Sequence, residues 1–286
     1  MNPPTQVKKI PILPLLIALA LLARSADARL AAISDFNGDD HRDYVLQNDN
    51  TYQTAIWYLD NNVLVSDVHG PTLPTNWFVV GVADFNRDGH PDYLLESDTS
   101  QTAIWYLSGR TVIAGAYGPS IPSGWFLVGI ADFNGDGYPD YVLSNLTTRQ
   151  TAIWYLRNNV HIGGGYGPTL PTNWWVAGVA DFNRDGHPDY VLESGTSYQT
   201  AIWYLSGLTF TGAAYGPTIP TGRGWGLEGI ADFNSDGYPD YVLENFNTYQ
   251  TAIWYLRNNV LISGAYGPIL PCAWDYCSPW DYGCCP

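Results

Sequence analysis

The chain has 286 residues, and its 12 Lys and Arg stand against 27 Asp and Glu, a formal charge of −15. An acidic balance of this size argues against nucleic acid and against anionic membrane surfaces as partners, since both require basic patches. The length accommodates one large repeat domain and needs no second.

Residues 1–28 read as a secretory signal peptide. Lys8 and Lys9 give a positive start, Ile10 to Leu22 an apolar core, and Ala26-Asp27-Ala28 a small-residue cleavage site. Thirteen apolar-core residues interrupted by Pro11 and Pro14 are too short for a membrane anchor. The expectation is a secreted or cell-surface protein with no membrane insertion after cleavage. Residues 29–286 then carry 9 Arg, no Lys and 26 acids, a charge of −17.

Downstream, one nine-residue pattern, Asp-Phe-Asn-x-Asp-Gly-x-Pro-Asp, recurs five times, starting at Asp35, Asp84, Asp132, Asp181 and Asp232. Each copy precedes Tyr and an aliphatic pair, then Thr-Ala-Ile-Trp-Tyr-Leu starting at Thr54, Thr102, Thr151, Thr200 and Thr251. The spacings of 49, 48, 49 and 51 residues mean one supersecondary unit repeated in space.

Oxygen side chains fall at loop positions 1, 3, 5 and 9. They are Asp35, Asn37, Asp39, Asp43; Asp84, Asn86, Asp88, Asp92; Asp132, Asn134, Asp136, Asp140; Asp181, Asn183, Asp185, Asp189; and Asp232, Asn234, Asp236, Asp240. Glycine at position 6 permits a sharp turn, and position 7 offers a backbone carbonyl. This hard, oxygen-only set is the kind Ca²⁺ prefers, with waters completing about six or seven ligands. Acid-rich turns carrying no ion are the plain alternative. Against them, turn chemistry does not require three mutually repelling carboxylates within nine residues, five times over. An EF-hand is excluded because position 12 is Leu in every copy (Leu46, Leu95, Leu143, Leu192, Leu243) and because proline at position 8 in copies 2 to 5 opposes a helix. The first copy departs, with Asp40 for the glycine and Arg42 for the proline. Sixteen acids lie in the loops, so five Ca²⁺ would bring the mature charge near −7.

These loops resemble the FG-GAP or VCBS repeats, the calcium-loop blades of integrin α-chain heads and of many secreted proteins. The resemblance covers about residues 30–271. It implies an all-β fold, a β-propeller of four-stranded blades with structural Ca²⁺, about one per repeat, in the loop joining the first two strands. The family spans adhesins, lectins and enzyme-attached modules.

Five repeats are expected at about 30–70, 77–118, 125–167, 174–216 and 225–267, each with four strands. In the second these are Trp77–Phe85, Asp92–Glu96, Thr102–Leu107 and Thr111–Tyr117. Burial on both sheet faces explains Ala-Ile-Trp-Tyr-Leu, where apolar residues do not alternate with polar ones. The linker Gly-Pro-x-x-Pro-…-Trp joins units, and a fifth copy, Gly267 to Pro271 with Trp274, follows the last unit. Five linkers suit a closed five-bladed ring. An open array completed by oligomerisation is the alternative, because units 1, 3 and 5 share Asn-Asn-Val where 2 and 4 share Leu-Ser-Gly, and closure sets two odd units side by side.

The tail 272–286 holds all four cysteines, Cys272, Cys277, Cys284 and Cys285, beside Trp280, Asp281 and Tyr282. In a secreted protein such a cluster forms disulfides, locally or between chains with self-association through the tail. Asn145-Leu146-Thr147 is a glycosylation sequon.

For ligands, the Ala-Ile-Trp tryptophans read as inter-blade packing. The linker residues Trp77, Trp125, Trp174 and Trp225 and the Tyr-Gly-Pro residues Tyr117, Tyr166, Tyr215 and Tyr266 are the candidates for exposure, with His69 replacing the tyrosine in unit 1. Aromatic faces beside Asn and Thr suit sugars, and repetition gives avidity. Two functions follow: a lectin-like module binding glycans, or an adhesion or matrix protein binding cell-surface proteins. No catalytic residue is expected. Non-loop acids such as Glu96, Glu193 and Glu244 occupy one repeated position, filled by Gln47 and Ser144 elsewhere, which reads as a tolerant strand end, and no nucleophile–base signature appears.

Overall fold

The structure is a computed structural model and describes residues 28–220 and 224–271. Of the signal peptide expected at residues 1–28, all but Ala28 lies outside these residues, as do all four cysteines.

Twenty strands form five four-stranded antiparallel sheets, each in simple meander order. Blade 1 is β1 (Ala28–Ser34), β2 (Asp43–Asn48), β3 (Gln53–Asp60) and β4 (Val63–Thr72). Blade 2 is β5 (Trp77–Ala83), β6 (Asp92–Ser97), β7 (Gln101–Ser108) and β8 (Thr111–Ser120). Blade 3 is β9 (Trp125–Ala131), β10 (Asp140–Asn145), β11 (Gln150–Arg157) and β12 (Val160–Thr169). Blade 4 is β13 (Trp174–Ala180), β14 (Asp189–Ser194), β15 (Gln199–Ser206) and β16 (Thr209–Thr218). Blade 5 is β17 (Trp225–Ala231), β18 (Asp240–Asn245), β19 (Gln250–Arg257) and β20 (Val260–Ile269). The expected strands are all present, with shifted ends. β5 stops at Ala83 because Asp84 already turns into the loop. β8 runs on to Ser120, which pairs with Gln101 across a register shift.

The first strands pack against one another around the axis: β1 against β5 and β17, and β9 against β5 and β13. Their closeness explains an invariant small residue in this chain's repeats. A Cβ on Gly81 would meet the Ile130 side chain 2.8 Å away, and a Cβ on Gly129 would meet Val179 at 2.5 Å. Gly178 receives Ile230 in the same way, and Gly229 receives Ile33 of blade 1. That last contact closes the ring.

The closing junction is built like the others. Tyr44 meets Phe233 edge-on at 6.1 Å, as Tyr93 meets Phe36 at 6.0 Å and Tyr241 meets Phe182 at 6.2 Å. Leu270 is buried in one cluster with Leu30, Tyr44 and Leu46 of blade 1. The open array is therefore overturned: this is a closed five-bladed propeller. The odd–even alternation has a physical meaning. In the third turn both Asn-Asn and Ser-Gly supply a left-handed residue, Asn61, Asn158 and Asn258 or Gly109 and Gly207. The odd turns then reach back to the preceding blade: Asn159 Nδ2 donates to Tyr117 O (2.9 Å) and Asn259 Nδ2 to Tyr215 O (2.8 Å). Asn62 makes the same bond to Tyr266 O at 2.8 Å, across the closure. The acceptor is a backbone carbonyl, so two adjacent odd blades are compatible.

The Gly-Pro of each linker is also explained by close approach. Thr54 Oγ1 donates to Pro71 O at 2.7 Å, and a Cβ on Gly70 would sit 2.5 Å from that hydroxyl.

The strand position of Gln47, Glu96, Glu193 and Glu244 is not a tolerant end. All four side chains are buried, at 0 to 4% exposure. Gln47 shows what the position does: its Oε1 accepts Val79 N–H (2.8 Å) and its Nε2 donates to Trp77 O (3.3 Å), tying blade 1 to β5. A carboxylate there is penalised. Burial pushes Glu193 up to about 7 from 4.5. With the folded value above the unfolded one, the stability linked to Glu193 is complete below about 4.5 and is lost as pH rises through 7. Glu193→Gln is expected to stabilise the protein by on the order of 2 kcal/mol at pH 8 and to leave it unchanged at pH 4. Urea unfolding at the two pH values checks this, and an equal effect at both would refute it.

Candidate functional site

Antiparallel meander order puts the acidic loops and third turns on one end of the ring and the linkers and second turns on the other. Two kinds of site result.

At the loop end, the chain wraps around the first aspartate. In blade 3, Asp132 Oδ1 accepts N–H bonds from Gly135 (2.7 Å) and Asp136 (3.2 Å), and its Oδ2 accepts one from Gly137 (2.7 Å). Asn134 Oδ1 accepts from Asp136 N–H (2.8 Å), and Asp136 Oδ1 from Tyr138 N–H (3.0 Å). This path needs two left-handed residues. Position 6 is one, with φ of 84° to 88° at the glycines and 66° at Asp40, whose side chain tolerates that region. Position 4 is the other, filled by Gly38, Arg87, Gly135, Arg184 and Ser235 with φ of 57° to 75°.

The aspartate at position 9 has a second duty. Asp43, Asp92, Asp140, Asp189 and Asp240 are fully buried. Asp140 Oδ2 accepts from Phe133 N–H inside its loop, and Oδ1 accepts from Leu156 N–H on β11, each at 2.9 Å. The carboxylate thereby pins the loop to the third strand of its blade. Burial pushes Asp140 up to about 6, the two N–H bonds oppose that, and repulsion from Asp132 and Asp136 adds to it. Asp240 reaches about 7 for the same reasons.

Three carboxylates and an amide oxygen per loop are a hard-oxygen set. Among the described residues, the ion pairs are Arg29–Asp49 at 3.1 Å and His41–Asp60 at 3.8 Å, neither of which neutralises a loop carboxylate at positions 1, 5 or 9. The donor chemistry and the uncompensated charge fit a divalent cation. In the geometry present, backbone amides take up the carboxylate oxygens, and among the described residues no three His, Cys, Asp or Glu groups stand around a common point.

Positions 4 and 7 look variable along the sequence but are complementary around the ring. Arg87 of blade 2 lies 5.2 Å from the Tyr138 ring of blade 3, and Arg157 covers the same ring at 5.7 Å. Arg184, Tyr238 and Arg257 repeat this at 4.9 and 5.5 Å across the junction of blades 4 and 5. Arg87 also donates to Asp136 O at 3.3 Å, and Ser235 Oγ to Asp40 O at 3.1 Å. Neighbouring loops are thus mechanically linked.

At the other end, the candidate aromatics meet in pairs. Trp77 lies 6.1 Å from Tyr117, Trp125 6.0 Å from Tyr166, Trp174 6.5 Å from Tyr215, and Trp225 6.3 Å from Tyr266. The tryptophans are half-buried, while the tyrosines are 71 to 72% exposed. In blade 2 the pair borders a cleft of about 460 Å³ with Asn76, Ser97, Thr99 and Gln101, and an adjoining space of about 320 Å³ lined by Leu95, Trp105 and Gly115. Trp105 is a residue the sequence reading gave to packing alone. It is half-buried, as are Trp154, Trp203 and Trp254, while Trp57 is buried. Its signal was present: the facing residue on β8 is Gly115, which leaves the indole uncovered.

Among solved structures, the chain is similar to Raptor of Chaetomium thermophilum (9% identity, TM-score 0.44, 84% of this chain but 21% of that one). It is also similar to the Cps50 (Swd1) β-propeller domain of Myceliophteria thermophila (12% identity, TM-score 0.44, 84% and 73% covered). A third likeness is glutaminyl cyclase of Myxococcus xanthus (14% identity, TM-score 0.47, 77% and 87% covered). At these scores none of the three says anything about activity. No curated protein matches the chain. The family model for the FG-GAP-like repeat matches residues 35–95, 132–192 and 181–243, each match starting on the first aspartate of a loop. Together these segments span more than half of the chain, and the protein belongs to the FG-GAP-like repeat family.

Proposed function

We propose that this propeller is a secreted, calcium-loaded adhesion module that binds glycans at its Trp–Tyr clefts and catalyses nothing. The observation that carries the reading is the repeated pairing of a half-buried linker tryptophan with a tyrosine that is 71 to 72% exposed. A tyrosine that touches its tryptophan yet leaves most of its ring in solvent gains little from packing, so its recurrence on four blades supports a ligand face. Amide and hydroxyl groups of Asn76, Thr99 and Gln101 stand beside it, as sugar hydroxyls require. Four such Trp–Tyr pairs on one ring would give avidity for a multivalent glycan surface.

Calcium would be held by the oxygens at loop positions 1, 3, 5 and 9 and by the carbonyl of position 7. Bound there, it would supply charge neutralisation. The chain's own residues do the rest. Position 9 fastens the loop to the sheet, and the arginine–tyrosine stacks hold one loop against the next. The basic, apolar and small-residue segments at the N-terminus support export.

A protein-binding or matrix role is the second reading. It is favoured by the outer edge strands, where Val63, Val65, Ile113, Ile162 and Ile262 are 54 to 62% exposed beside unpaired backbone groups.

A glycan array probed with residues 29–286 in calcium and again in EDTA separates the two. Calcium-dependent binding to one sugar family, lost in Trp125→Ala, is the expected result. A blank array from folded, calcium-loaded protein would overturn the glycan reading in favour of protein adhesion.

A further inference from the structure

We propose that Arg87 and Arg184 are positioning residues for the acidic loop of the next blade. With each loop numbered by its blade, they divide the five into two units that take up calcium cooperatively, loops 2 and 3 and loops 4, 5 and 1. The inference rests on the calcium reading of the loops and adds to it an order that the repeat alone does not contain.

The path begins at position 4. This residue sits in the left-handed turn that wraps the first aspartate, so closure of its own loop sets where its side chain goes. Arg87, with φ of 64°, sends its guanidinium onto loop 3. There it donates to Asp136 O at 3.3 Å, and a Cβ built on Gly137 would lie 2.9 Å from its Cζ. It also lies 5.2 Å from the centre of the Tyr138 ring. One side chain of loop 2 therefore touches positions 5, 6 and 7 of loop 3, the stretch that carries a ligand carboxylate and the offered carbonyl. Arg157, at the end of β11, meets the same ring at 5.7 Å, so Tyr138 is held by its own blade and by the preceding one. Arg184 repeats the arrangement on loop 5. Its Cζ lies 3.0 Å from a Cβ built on Gly237 and 4.9 Å from the Tyr238 ring, which Arg257 meets at 5.5 Å. In these two loops the glycine at position 6 has a second duty, leaving room for a neighbour's guanidinium.

The other junctions differ. Ser235 of loop 5 donates its Oγ to Asp40 O of loop 1 at 3.1 Å, a shorter reach that ends at position 6. Gly38 of loop 1 and Gly135 of loop 3 have no side chain, and a Cβ on either would meet nothing within 4 Å. Position 4 therefore links loop 2 to 3, 4 to 5 and 5 to 1, and it gives no such link from 1 to 2 or from 3 to 4. Position 7 follows the same division. Tyrosine stands there in loops 3 and 5, facing the arginines, and histidine (His41, His90, His187) in the rest.

The consequence is thermodynamic. A loop held in its wrapped form by its neighbour has already lost conformational freedom, so the ordering cost of binding an ion falls. The coupling is reciprocal, since an ion that fixes loop 3 also fixes the platform on which Arg87 rests. Charge acts in the opposite direction, because a guanidinium beside a cation site repels the cation, although salt screens exposed charges strongly. The sign of the effect separates positioning from electrostatics.

Hydrogen exchange of the full chain, followed by mass spectrometry at graded free calcium, gives a calcium midpoint for each loop. In Arg87→Gln the midpoint of loop 3 (132–140) is expected to rise about fivefold, with that of loop 4 (181–189) unchanged. Asp88→Asn, which removes a carboxylate from loop 2, is expected to raise the loop 3 midpoint likewise. In the Arg87→Gln background it is expected to have no further effect on loop 3, because the link is already cut. A loop 3 midpoint that stays or falls in Arg87→Gln, or equal shifts of loops 3 and 4, would overturn the coupling while leaving the calcium sites in place. Wild-type loops whose exchange ignores calcium would instead remove the calcium reading, and this coupling with it.

Discussion

Asp189→Ala is expected to lower the unfolding free energy by about 3–5 kcal/mol in EDTA, and by more in calcium, where the loop's ion is lost as well. Asp189 is fully buried; its Oδ2 accepts Phe182 N–H and its Oδ1 accepts Leu205 N–H, each at 3.0 Å. Truncation orphans both donors, each at a cost of roughly 1–3 kcal/mol, and unfastens the loop from β15. Asp189→Asn should recover part of the loss, since its amide can accept one bond but sets its NH₂ against the other donor. A metal ligand alone would behave differently, because its removal would be felt only in calcium. Urea unfolding of the three proteins, with and without calcium at low temperature, separates the two. Wild-type stability of the alanine variant in EDTA would refute the fastening role.

Calcium removal is expected to have the largest effect of all. Extracellular sites of this kind bind with Kd on the order of 10⁻⁴–10⁻³ M, so at about 10 mM calcium each site adds roughly 1.4–2.7 kcal/mol. Five sites would then contribute on the order of 7–14 kcal/mol, comparable with the whole stability of an ordinary domain. Chelation also restores repulsion among loop carboxylates that, among the described residues, form no ion pair with arginine or histidine at positions 1, 5 or 9. A drop in Tm on the order of 15 °C or more is expected in EDTA, reversed by calcium and not by sodium. A melting curve unmoved by EDTA would show that the acidic loops are turns only.

Most of the architecture was legible because the repeat made it so. Five copies of one loop with a strand on either side fix a blade, and the count of linkers matched the count of junctions. The paired clefts were half legible: sequence singled out the linker tryptophans and the Tyr-Gly-Pro tyrosines, but their meeting depends on how the chain crosses a twisted sheet. Two features were hidden for a plainer reason. The aspartate at position 9 is already accounted for by the calcium reading of the loop, so its second role, holding Phe133 and Leu156 N–H together, adds no residue that a reader could notice. Arg87 and Tyr138 are 51 residues apart and belong to different repeats, so their complementarity appears only when the blades are set side by side. The buried Glu193 misled because substitution by Gln or Ser elsewhere looks like tolerance. It reflects a site that accepts several hydrogen-bonding groups and penalises only their charge.

The central claim, that each of the five acidic loops is a calcium site, is tested most directly by titrating chelator-stripped protein with calcium in a calorimeter. The account predicts five ions per chain, within a stoichiometry error of about one, with affinities on the order of 10⁻⁴–10⁻³ M and the first blade weakest because Asp40 replaces its loop glycine. Folded protein that takes up no calcium at millimolar concentrations would contradict it.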